Sequence, residues 1–336
     1  SCTIIYLVHL QSKVLQKSTV LFKLLYNDII GIKEESNMHY TGTIWRPPYE
    51  ASSLLLEVTA GCTHHKCKFC TLYNDLPFKF RMSPMEDIEA DLQEAASAIK
   101  RWKGFGFDRT FLTGANPFVL KFERLMEIAD LVHKYIPSCK TIGSFARITD
   151  VTLKTDDELD ALHKVGYDGL TIGIETGDDV ALRFMNKGYL AADIITQCKR
   201  LDRAGIHYSF FYLTSISGAG RGEIGAKATA EVCNQLHPIE VGANMLTIYP
   251  DSELYQEIQK GNWTEESELE KYKEVRTLIE HLTIPTMFGA LGASNAFQLM
   301  GELPRDKQKL LDTLDKIIAN VSEEELHHYR KNLKHL

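Results

Sequence analysis

Six short apolar runs, each followed by residues with helical spacing, decide what class of fold this chain can adopt. Residues 54–58, 110–113, 141–146, 169–174, 206–213 and 241–248 have the length and side-chain type of buried strands. Between them, Ile88, Leu92, Ala95, Ile99 and Trp102 step by four and three residues and so share one helix face, as do Phe122, Leu125, Ala129 and Val132. Ser83-Pro84-Met85-Glu86 and Thr155-Asp156-Asp157-Glu158 read as capped helix starts. Gly205 is placed to end the helix that carries Ile194, Cys198 and Leu201. Parallel strands need a crossover, and a helix supplies it. The right-handed crossover rule then rolls such units into a barrel or winds them into a sheet covered on both faces.

Around this α/β array the chain divides in three. The first methionine is Met38, and the functional module is expected to start there, with residues 1–37 as an extension. Residues 38–250 hold the strand–helix units. Beyond Pro250, residues 265–282 are charged and helical, and 288–301 read as a loop rich in Gly, Ala, Ser and Asn. Helices near 304–319 and 323–335 follow, the second with Ser322 and Glu325 as a capping box, so 251–336 is expected to be a helical extension. No stretch reaches the ~18 consecutive apolar residues of a membrane span, so no membrane partner is expected. The net charge is −7 with no long basic block, which disfavours nucleic acid as a partner.

The seven cysteines are unevenly placed: Cys62, Cys67 and Cys70 fall in Gly61-Cys62-Thr63-His64-His65-Lys66-Cys67-Lys68-Phe69-Cys70, directly after the first strand. An odd, clustered set in a large chain does not read as a disulfide framework, and a reducing, cytoplasmic setting is the better expectation. Three thiolates this close form a soft-metal cage. The residues alone allow a 2Fe–2S centre with Cys139 as fourth ligand, structural zinc completed by His64 or His65, or a 4Fe–4S cluster held by three cysteines with one iron left open.

Three cysteines after the first strand of a βα array, with Phe69 just before the last, resemble the radical S-adenosylmethionine superfamily. Thr113-Gly114-Ala115-Asn116 resembles its glycine-rich motif. Ile172-Gly173-Ile174-Glu175-Thr176-Gly177 and Met185-Asn186-Lys187-Gly188 resemble the fourth-strand segment of its methylthiotransferase and elongator-type branch. The resemblance covers roughly residues 50–250. Four residues rather than three separate Cys62 from Cys67, and Ala115-Asn116 replace the motif's second glycine and glutamate, which mark a subgroup that also carries Arg-Pro-Pro-Tyr at 46–49.

The resemblance implies a 4Fe–4S cluster on Cys62, Cys67 and Cys70 and S-adenosylmethionine as cofactor. It implies reductive cleavage to a 5′-deoxyadenosyl radical that abstracts hydrogen from a substrate, expected to be a small metabolite, with RNA or a peptide as the alternative. An electron donor such as a flavodoxin or ferredoxin is implied as well. Phe69 is expected beside the adenine, and Gly114 and Ala115 against the methionine end with Asn116 accepting from its amino group. Arg147 is expected at a carboxylate, and Glu175 at the ribose or amino group. With the six repeats, this predicts a partial (β/α)6 TIM-type barrel, the cluster at its C-terminal mouth, and a helical C-terminal extension.

Overall fold

The computed structural model describes residues 38–101 and 106–331. The expectation for residues 1–37 and the place of Trp102 on its helix lie outside the described residues. All six apolar runs become strands. In chain order the elements are β1 (Leu54–Glu57), β2 (Thr59–Gly61), β3 (Phe80–Met82), β4 (Arg109–Thr113), β5 (Thr141–Ala146), β6 (Tyr167–Glu175), β7 (Tyr208–Thr214) and β8 (Glu240–Met245), followed by β9 (Thr286–Ala290) and β10 (Leu299–Leu303). The main sheet runs β1-β4-β5-β6-β7-β8-β9-β10, parallel throughout except for the antiparallel β9–β10 pair.

Strands that follow one another in space as in sequence have no topological switch point, which separates a barrel-type arc from a doubly wound sheet. The arc stays open, since no pairing joins β1 to β10 among the described residues. It is the expected partial barrel, enlarged by two strands. The segment 288–301, expected as a loop, is one over 291–298 only; its two ends belong to β9 and β10. Its glycines misled the reading because they mark close approach rather than turns. A Cβ on Gly289 would lie 2.9 Å from the Glu240 carboxylate, and one on Gly301 would lie 3.0 Å from Leu310 and Asp306.

Helices Met85–Arg101, Phe122–Tyr135, Asp156–Lys164, Ala191–Ala204 and Gly222–Cys233 cover the outside of the arc. Side chains alternate along a strand. Leu54 and Leu56 enter the core with Ile88 and Leu92, while Leu55 and Glu57 face the inside of the arc. By the same alternation Leu112 packs outward, and Phe111 and Thr113 inward. Phe111 and Phe145 meet edge to face at 5.1 Å, and Phe211 lies 6.5 Å beyond Phe145, so aromatic rings fill the middle. Thr155 and Glu158 form the expected capping box, and Gly205 ends its helix at φ 76°. Cys139, Cys198 and Cys233 are buried core residues.

The Arg-Pro-Pro-Tyr segment closes the end of the arc where the strands begin. Its prolines start a short 3-10 turn, Pro48–Glu50. The buried Glu50 carboxylate accepts from Nε of Arg109, the first residue of β4, at 3.0 Å on each oxygen and from its Nη2 at 2.8 Å. Arg109 also donates to Thr141 Oγ1 and to the Asp168 and Gly169 carbonyls. The Tyr49 hydroxyl lies 2.7 Å from Thr171 Oγ1. No described helix is long and apolar enough to cross a membrane.

Candidate functional site

The cysteine loop leaves the sheet at the ends of the parallel strands and is closed at its base by the β2–β3 hairpin, with Thr59, Ala60 and Gly61 opposite Met82, Arg81 and Phe80. The Cys62 N–H adds one more rung, donating to the Lys79 carbonyl at 2.8 Å. Beyond this base the loop is pinned at Lys68. Its N–H donates to the Met185 carbonyl (3.1 Å), and its carbonyl accepts from the Leu254 N–H (2.7 Å). Within the loop the Cys70 N–H donates to the Cys67 carbonyl at 3.1 Å. The Lys68 ammonium lies 3.5 Å from Glu257 and 4.5 Å from the centre of the Phe184 ring. A segment that crosses no strand is thus fixed by backbone bonds to two distant parts of the chain.

Cys62, Cys67 and Cys70 all carry free thiols. Burial raises the Cys67 thiol above its usual value, ahead of the opposing charges of Lys187 and Arg147, so a metal there displaces a proton. No three His, Cys, Asp or Glu side chains among the described residues converge on one point as a single ion requires. His64 Nε2 is 2.7 Å from the Asn186 carbonyl and His65 Nε2 is 3.3 Å from Asn74 Oδ1, so both rings have a partner other than the cysteines. Cys70 feels the charge of both Cys67 and Cys62, so the three thiols share one neighbourhood, as the ligands of one cluster must.

The other expected site residues gather at the same end of the arc, though several have partners of their own. Glu175 ends β6 at φ 64°, with its carboxylate 2.7 Å from the Lys187 ammonium. Both side chains are largely buried. Burial is the largest influence and works against the Lys187 charge, but Glu175, Tyr189 and Cys67 together outweigh it and hold the ammonium above its usual value. Phe69, Glu175, Met185, Lys187 and Ile216 line a narrow recess beside the loop, too tight to hold a water molecule. Arg147 donates from its side chain to the Lys187 carbonyl and sits 5.5 Å from the centre of the Tyr189 ring.

Asn116 is fully buried. Its amide donates to Thr63 Oγ1 (2.8 Å) and to Asp150 (3.1 and 3.2 Å), which ties the start of the cysteine loop to the turn after β5. The Ala115 N–H donates to the Gly61 carbonyl at 3.3 Å. Gly114 has φ 125°, and a Cβ there would fall on the Thr59 hydroxyl and carbonyl, so its glycine serves the approach of β2.

Sequence reasoning missed several features. The Met185–Gly188 motif backs the cysteine loop: Met185 and Asn186 offer it carbonyls, and Lys187 holds Glu175. Asn295 is buried and donates to the Ala243 carbonyl at 3.1 Å. The described non-glycine residues with positive φ are His65, Glu175, Asn186 and Ser215. His65 lies in the cysteine loop, Asn186 packs on it, and Glu175 and Ser215 stand at strand ends, so the backbone strain is concentrated at the mouth. Glu57 was also missed. A carboxylate at the end of an apolar strand, just before the cysteines, was the available signal.

The family model of the Radical SAM superfamily matches residues 56–223, half of the chain. Coproporphyrinogen III oxidase (HemN) from Escherichia coli is similar in structure, with TM-score 0.52 and 15% identity over 69% of this chain and 52% of that one. The radical S-adenosylmethionine methyltransferase TsrM from Kitasatospora setae, solved with cobalamin and a [4Fe-4S] cluster, gives TM-score 0.51 and 15% identity, covering 63% of this chain and 40% of its own. Methylornithine synthase (PylB) gives 0.50 and 14%, covering 82% of this chain and 85% of its own. At such identities the likeness speaks for the fold. The chain spans two fifths of the length of TsrM. None of the curated proteins matches it in sequence.

Proposed function

Because the chain belongs to the radical S-adenosylmethionine superfamily and is therefore an enzyme of that kind, we propose that Cys62, Cys67 and Cys70 hold a 4Fe–4S cluster at the arc's C-terminal mouth, beside S-adenosylmethionine. The observation that carries this reading is the pinned loop: three free thiols on one short segment closed by the β2–β3 hairpin and anchored at Lys68. When bound, cluster and cofactor supply a 5′-deoxyadenosyl radical for hydrogen abstraction.

The chain's own residues bind, orient and shield. Phe69 and the recess it shares with Glu175 and Lys187 keep water from the inner side of the loop. Arg147 and Lys187, both beside the cysteines, set a positive field that favours thiolate ligands. A small-molecule substrate is favoured by the interior, whose middle is filled by Phe111, Phe145 and Phe211 and whose floor is closed by Glu50 and Arg109. Only the mouth is left for it. Lys66, Lys79 and Arg81 are exposed on the loop and its hairpin in a chain of net charge −7, which suits an acidic one-electron carrier such as a flavodoxin or ferredoxin.

Anaerobic reconstitution with iron and sulfide tests the reading. The wild type is expected to take up about four irons and four sulfides per chain and, once reduced, to cleave S-adenosylmethionine. Each single Cys→Ala change at 62, 67 or 70 should remove most of the iron and all cleavage. Full iron and sulfide in the triple variant would refute the assignment.

A further inference from the structure

Two buried acids near the end of β7 take no part in the site described so far. Glu274 lies on the helix Glu268–His281 of the C-terminal extension, and Glu266 precedes that helix. They are 0% and 5% exposed. Both carboxylates reach the start of the helix Gly222–Cys233, where a Cβ on Gly222 would fall on the Glu266 carboxylate and lie 2.7 Å from Glu274 Oε2. Glu274 accepts from the Tyr212 hydroxyl and, at 2.7 Å, from the Ser215 N–H. The Glu266 N–H donates to Ser215 Oγ at 3.4 Å, and the Gly222 N–H favours the Glu266 carboxylate. Glu266 Oε2 is left buried with no donor among the described residues.

The surrounding cations do not supply that donor. Lys271, on the same helix as Glu274, is bound to Glu265 at 2.6 Å and to Glu268 at 2.7 Å. Arg221, just before Gly222, is bound to Asp178 at 2.8 Å. Glu270 adds a further negative charge near Glu266, and Glu223 on the Gly222–Cys233 helix takes the Thr277 hydroxyl at 3.2 Å. Two ionised carboxylates packed together in the interior repel each other, and each loses its hydration. One proton between them removes both costs and gives Glu266 Oε2 its partner. Burial, ahead of the contact with Glu266, raises the Glu274 carboxyl well above its usual range, and burial raises that of Glu266 as well. Among the described residues no third His, Cys, Asp or Glu side chain joins them to hold a metal ion.

We propose that Glu266 and Glu274 share one proton and act as a latch that fastens residues 215–222 to the C-terminal extension. That run leaves β7 at the mouth. Ser215 has φ 76°, the Ala219 N–H donates to the Thr264 carbonyl at 2.9 Å, and Ile216 lines the recess beside the cysteine loop. The two acids are positioning residues: through them a helix of the extension sets where Ile216 stands. The folded protein holds the proton more tightly than the unfolded chain does. The latch's contribution is therefore full below the usual glutamate value of 4.5 and is lost as pH rises through the pair's own, higher value. Above that value both acids are charged and the run is released. The latch does not depend on the cluster, so it stands or falls apart from the functional reading.

Infrared difference spectra and amide hydrogen exchange on the full chain test it. Glu266→Gln puts an amide N–H where the shared proton lies, so this variant should keep the latch and lose its titration. At neutral pH the wild type should show the C=O stretch of a protonated carboxyl, and Glu266→Gln should lack it. Amides of residues 215–222, corrected for the intrinsic effect of pH on exchange, should lose about ten- to a hundredfold protection in the wild type as pH rises through the titration, the loss of one charge-assisted hydrogen bond. In Glu266→Gln their protection should stay level, and in Glu266→Ala it should be reduced from the start. A wild type without the protonated carboxyl overturns the proposal. So does protection that ignores pH, or a Gln variant no better protected than the Ala variant. Protection that instead rises with added sodium, potassium or magnesium, without the carboxyl band, would place a cation between the acids and overturn it too.

Discussion

Glu175 has a partner of its own at the mouth, the Lys187 ammonium 2.7 Å away. Its left-handed backbone costs a non-glycine residue about 1–3 kcal/mol, and its carboxylate balances a buried lysine. Glu175→Ala should therefore destabilise the fold by about 3–5 kcal/mol, because Lys187 would be left buried and unpaired. Adding Lys187→Met should recover most of that loss in a denaturant titration, and no recovery would mean the pair is not the source. Asp150 offers a second check. Burial, ahead of the opposing bonds from Arg147 and Asn116, raises its carboxyl from 3.8 to about 6. The folded state then holds this proton more tightly than the unfolded chain, so the group's contribution is full at low pH and is lost as pH rises through about 6. Relative to Asp150→Asn, wild-type stability should fall by about 2 kcal/mol between pH 4 and 6 and level off above about pH 7. A constant difference would mean that Asp150 titrates normally. At this scale the cysteines and Glu175 were legible because each sits in a contiguous motif. The hold of Lys187 on Glu175 and of Asp150 on Asn116 was not, since it depends on strand ends meeting in space.

The element that matters most is the hairpin under the cysteine loop. Neither β2 nor β3 was readable from the sequence. Each has three residues, too few for a period of two to declare itself, and the pairing spans the whole loop. What holds it against the sheet is the absence of a side chain at Gly114. Gly114→Ala should cost at least about 2 kcal/mol, from the φ of 125° and the collision with Thr59. It should also lower cluster occupancy, because the loop's base must shift. Iron content together with the denaturant midpoint measures both, and an unchanged pair of values would show that Thr59 gives way freely. The helices, by contrast, were legible to within a few residues. Their apolar faces repeat over several turns, and Thr155, Gly205 and Ser322 punctuate them by local chemistry. β9 and β10 were not, because glycines needed for close packing look like turn glycines in a single sequence.

Among the described residues the sheet is an arc rather than a ring, stoppered where its strands begin by Glu50 and Arg109 and left open at the mouth. The six repeats made the parallel strands readable and left barrel against doubly wound sheet undecided. Spatial order settles that choice, and order is a property of the packed chain. The floor was hidden too, since nothing local in Arg-Pro-Pro-Tyr says that its neighbouring glutamate meets the first residue of β4. The double anchor at Lys68 carries a consequence in time. Its second hydrogen-bond partner, Leu254, lies far downstream. At ribosomal speeds of about 5–20 residues per second, the cysteines emerge on the order of ten to forty seconds before the residue that steadies them. Iron–sulfur delivery to this chain is therefore an event after synthesis of the barrel, and until then three reactive thiols depend on the reducing power of their surroundings.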